Sequence, residues 1–68
     1  MSESDLDAIR EAGESWRDAV ARIAAKHGHG TECLSAFDEY VQDGAEAEFA
    51  AVAALSDFKL LVAEFGPN

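Results

Sequence analysis

The chain has 68 residues, of which 14 are acidic and 5 are Lys or Arg, a formal net charge of −9. That length allows one small domain over residues 1–68, burying only about 60% of its unfolded surface around a thin core. One cysteine excludes an intrachain disulfide framework, and sparse bases interleaved with acids exclude a phosphate-gripping surface, so neither direct nucleic-acid binding nor attachment to an anionic membrane is expected.

Helix dominates the pattern. Fourteen alanines, no proline before Pro67 and no clean period-two alternation point to an all-α fold. The expected architecture is a small antiparallel bundle of two long or three helices, completed by homodimerisation. The helices are expected at about 4–27, 32–42 and 45–65. The longest apolar run, 49–55, is far short of the about 20 residues that span a bilayer. Residues 2–7 are acidic where a secretory leader would be basic, so a cytoplasmic location is expected.

The first helix is expected to start at Ser4, with Asp7 three residues on in a capping-box arrangement. Leu6, Ile9, Gly13, Trp16, Val20, Ile23 and His27 then recur in steps of three and four, a narrow stripe for packing. Gly13 lies on that stripe, where a missing side chain would admit a neighbouring helix. On the opposite face, Glu14 and Asp18 stand three or four residues from Arg10, Arg17 or Arg22, within reach for ion pairs.

Gly28 is placed to end this helix, and Thr31 or Ser35 to cap the next. The second helix offers Leu34, Phe37, Tyr40 and Val41 to one side, and so short a turn makes it an antiparallel neighbour of the first. Asp43-Gly44 predicts a further break or kink, with Asp43 and Glu46 forming a new capping box; the alternative is one long helix passing through Gly44 at a cost of about 1 kcal/mol relative to alanine.

Over residues 45–65, Leu55, Phe58, Val62 and Phe65 fall on one side of a continuous helix, Phe49, Val52 and Leu60 on a second, and Leu61 near a third. A helix apolar nearly all round requires burial on more than one face, more than two short neighbours supply. The expectation is a homodimer or a partner protein, with Trp16, Phe49, Val52, Phe58, Val62 and Phe65 as the packing or dimer surface.

Charge is uneven. Residues 1–30 hold six acids and four bases, and residues 31–68 hold eight acids and one base. No Lys or Arg lies between Lys26 and Lys59, while Asp38, Glu39, Asp43, Glu46 and Glu48 crowd around Gly44. These five are the candidate interaction residues. Such a surface steers a basic protein, in the sharpest form by standing in for phosphates and inhibiting a nucleic-acid-binding partner.

Sites of chemistry are few. His27, His29, Glu32 and Cys33 supply ligand types for a transition metal within seven residues, which makes a metal-binding or metal-responsive module the alternative function. A single cysteine and the lack of a second ligand cluster weigh against it. A calcium loop centred on Gly44 would place Val41 and Ala50 at ligand positions, and neither coordinates an ion. No cofactor and no catalytic residue is assigned, and no enzymatic activity is expected.

Overall fold

In the computed structural model, which describes residues 9–66, the leading segment turns where the stripe predicts helix. Glu14 N–H donates to the Glu11 carbonyl at 3.0 Å, and Gly13 takes a φ of +80°, a conformation L side chains resist. The helix α1 therefore spans Trp16–Lys26 and is capped by Ser15, whose hydroxyl accepts from the Asp18 N–H at 3.1 Å. The expected helix over 4–27 is corrected accordingly. The physical reason is Ile9: in a straight helix it would stand about 10 Å beyond Trp16. After the turn it is only 1% exposed and packed in the core. Gly13 serves this turn and not a close helix approach, since a Cβ there would meet nothing within 4 Å. The expected cap at Ser4 lies outside the described residues.

Arg22 holds the folded-back segment. Its Nη2 donates to the Ile9 carbonyl at 2.8 Å and to Glu14 Oε1 at 3.1 Å, and its Nε donates to Glu14 Oε2 at 3.1 Å. Half-buried, it supplies a charge-assisted clamp of the stronger kind.

The helix α2 spans Gly30–Gln42, two residues earlier than expected, with His29 rather than Thr31 or Ser35 at its N-cap. Arg17 of α1 donates from Nε and Nη2 to the two oxygens of Asp38 at 3.1 Å each, tying the start of α1 to the second half of α2, as antiparallel neighbours require. The expected pairing of Glu14 with a base three or four residues away gives way to Arg22, eight residues on, and Asp18 forms no ion pair among the described residues.

The break at Gly44 is present, with a φ of +103°. The new helix α3 spans Ala47–Asp57, and Glu46, not Asp43, is its N-cap. It returns along α2, where the Tyr40 hydroxyl donates to Asp57 Oδ2 at 2.7 Å and the His29 and Phe58 rings lie 5.5 Å apart.

The expected helix over 45–65 is the second correction. Lys59 adopts a left-handed φ of +58°, and a separate helix α4 spans Leu60–Phe65. The turn buries Leu60 and brings Glu64 to the end of α1, contacts a straight continuation would carry away from the body. It also breaks the expected apolar side. Leu55 is buried and Phe58 half-buried, while Val62 and Phe65 are 55% and 45% exposed.

All four helices share one core of Ile9, Ala19, Val20, Ile23, Ala24, Cys33, Phe37, Ala50, Ala51, Ala54, Leu55 and Leu60. The all-α class holds, with four helices and no strand among the described residues. No helix there is long and apolar enough to cross a membrane.

Candidate functional site

The candidate site is the corner between α2 and α3. It follows from how the ion pairs are spent elsewhere. Arg17 takes Asp38, Arg22 takes Glu14 with Glu11 at 3.7 Å, and Lys26 takes Glu64 at 3.2 Å. Three of the five bases are thus committed to acids away from the Gly44 turn or, in Asp38, at its edge. Glu39, Asp43, Glu46 and Glu48 are exposed and form no ion pair among the described residues.

Asp38 therefore differs from the other four interaction candidates. The Arg17 guanidinium holds its carboxyl below the usual carboxylate range, and the pair works as a strut between α1 and α2. What remains is a carboxylate set drawn from the last turn of α2, the Gly44 turn and the first turn of α3.

Uncovered apolar side chains stand among these charges. Phe49 is 70% exposed, one residue from Glu48 and three from Glu46. Val41, on the other side of the turn between Glu39 and Asp43, is 42% exposed. The pattern of α2 assigns Val41 to the packing side, but it lies in the last helical turn, where the cover of α1 runs out; no sequence signal marks that boundary. On α3 the buried residues Ala50, Ala51, Ala54 and Leu55 define the inner side. Phe49, Val52, Ala53 and Ser56 occupy the opposite side, with no charge among them. Val52 and Ala53 are half-buried, so Phe49 is the projecting member.

The other expected packing residues divide. Trp16 packs against the core with the Arg10 guanidinium 4.8 Å from its ring centre, and Phe58 packs against the core beside His29. Val62 and Phe65 form a separate apolar pair on the outer side of α4.

The four candidate metal ligands do not converge. His27 Nε2 meets Glu64 Oε1 at 3.1 Å, and His29 lies against Phe58 with Nδ1 4.0 Å from Glu32. Cys33 is fully buried, and burial pushes its thiol up, disfavouring the thiolate a metal needs. Among the described residues no group of three or more His, Cys, Asp or Glu is placed to hold an ion.

Compared with known protein families, curated proteins and solved structures, the chain finds no match.

Proposed function

We propose that this chain is an acidic helical protein–protein interaction module that docks a basic partner through the α2–α3 corner. The observation that carries the reading is Phe49, an aromatic side chain 70% in water, one residue from Glu48 and three from Glu46, which form no ion pair among the described residues. Large exposed aromatics are the side chains that anchor interfaces when a partner supplies a pocket. The carboxylates exclude a plain apolar partner, because burying them against unpaired apolar surface costs more than the anchor contributes. A partner with Lys or Arg around an apolar pocket satisfies both.

In this reading Phe49 and Val41 set the lifetime of the complex, and Glu39, Asp43, Glu46 and Glu48 set the rate of encounter. The mode of action is occlusion. A surface basic enough to match this corner also grips phosphates, so the bound module blocks nucleic acid from it.

The test is affinity capture with the purified chain as bait, followed by identification of what is retained. The expected result is a basic protein held at low salt and released at high salt. It is lost from the Glu46→Lys, Glu48→Lys double variant and from Phe49→Ser, and the module displaces its nucleic acid. Equal retention by the wild type and both variants would overturn the proposal.

A further inference from the structure

The residues on either side of Lys59 carry a second pattern. Leu55, Phe58, Val62 and Phe65 are spaced three, four and three apart, the rhythm of a single helical seam. That seam is continuous only if residues 47–65 form one straight helix. In the folded chain Lys59 interrupts it and strands Val62 and Phe65 in water, 55% and 45% exposed. Neither glycine nor proline occurs over 45–65 to demand the interruption. Lys59 is the one non-glycine residue with positive φ among the described residues, a conformation that costs an L side chain roughly five- to thirtyfold in population. The arm beyond it is six residues long, held by buried Leu60, by Leu61 and by the ion pairs of Glu64.

We infer that α4 is an exchangeable arm, and that two copies of this chain pair by opening at Lys59 and trading residues 60–65. Each opened α3–α4 helix is about 28 Å long, close to the 29 Å longest dimension of the folded chain, so the arm reaches a neighbouring body. There α4 makes the contacts it makes at home: Leu60 and Leu61 against α1 and α3, and Glu64 against Lys26 and His27. Opening removes the left-handed joint and restores the seam, and the two opened helices cover each other's Val62 and Phe65. The occupant is a second copy because only an identical body offers the groove α4 already fits. A short joint under strain is the setting in which such exchange occurs. The surface is separate from the acidic corner, so the pairing stands or falls independently of the docking proposed above.

The decisive experiment mixes two charge variants, Lys26→Glu and Glu64→Lys. Each alone places like charges at the contact between positions 26 and 64, whether the arm is at home or exchanged between identical copies. In an exchanged pair of one each, both contacts regain opposite charges. Native mass spectrometry and light scattering of the equimolar mixture should show a species of about twice 7.3 kDa holding one of each variant. It should be at least about tenfold more abundant than the dimer of either variant alone. Both variants remain acidic overall, so bulk attraction does not produce it. No enrichment of the mixed species would overturn the inference.

A second pair of variants guards against loss of folding, which far-UV circular dichroism monitors. Lys59→Gly accepts the left-handed joint and is the poorer helix residue, so it should weaken the dimer at least about tenfold; Lys59→Ala should strengthen it. Equal dissociation constants, or the reverse order, would equally overturn it.

Discussion

Truncating Phe49 and Leu55 in turn tests the facing of α3, because the two lie on opposite sides of one helix. Leu55 has no exposed surface, and removing a fully buried leucine costs about 2–5 kcal/mol. At roughly 0.05–0.15 kcal/mol per residue, a domain of this size has a total stability of about 3–10 kcal/mol. Leu55→Ala therefore removes a large fraction of it, and near the bottom of that range, about 3–4 kcal/mol, leaves the chain substantially unfolded. Phe49 has already left 70% of its surface in water. Full burial of a phenylalanine contributes about 1.5–3 kcal/mol, so truncating this one loses under about 1 kcal/mol. Alanine returns about 0.5 kcal/mol in helix propensity, and the net change lies within about 0.5 kcal/mol of zero. Urea melts followed by far-UV circular dichroism, at low micromolar concentration to keep the chain single, measure both. A loss above about 2 kcal/mol for Phe49→Ala would mean that the outer side of α3 is covered in the free protein, and the docking surface would be refuted. A loss below about 1 kcal/mol for Leu55→Ala would refute the assignment of the inner side.

Ser15→Ala should cost about 0.5–2 kcal/mol in the same melts, since it deletes the cap of α1; no change would mean that the helix does not start there. Glu64, held below the usual carboxylate range by His27 and then Lys26, shares that depression with Asp38 beside Arg17 and Glu14 beside Arg22. Groups depressed on folding contribute stability above their unfolded values that is lost as pH falls through the folded ones. The melting temperature should therefore fall on acidification below about pH 4, and a flat acid limb would contradict these pairs. Tyr40 moves the other way, its hydroxyl donating to Asp57 and so raised above its ordinary value near 10.0. Its contribution is complete below that value and lost as pH rises through the raised one, and Tyr40→Phe should flatten the alkaline fall. Cys33, buried and pushed up, should react with iodoacetamide only as fast as the fold opens; labelling at the rate of the unfolded chain would place it outside the core.

The elements legible in the sequence were those marked by local chemistry. Glycine at 28 and 44, and the apolar stripe from Trp16 to Ile23, predict three of the helix boundaries and the packing side of α1, because turn conformation and helical period act over a few residues. The capping signature at Ser4 and Asp7 recurs at Ser15 and Asp18, starting two residues after Gly13, and the second copy is the one that caps a described helix. A stripe that runs on through Gly13 hides it. Lys59 carries no such mark. Its turn is imposed by what lies far off in sequence, the groove that buries Leu60 and the bases that hold Glu64. The acidic excess around Gly44 is visible in composition, but which carboxylates remain free is not. Asp38 looks equivalent to Glu39 until Arg17, 21 residues earlier, takes it. Likewise Phe49 is one of several apolar residues in its helix, and only the packing of α3 singles it out.

Stopped-flow kinetics with the captured basic protein show whether carboxylates steer and an aromatic anchors at this corner. Glu46→Lys with Glu48→Lys should slow association, and rising salt should slow the wild type toward that rate, with dissociation little changed. Phe49→Ala should leave association near the wild-type rate and speed dissociation by roughly tenfold or more. Association indifferent to salt and to those charges, together with dissociation indifferent to Phe49, would mean that the protein does not dock through this corner.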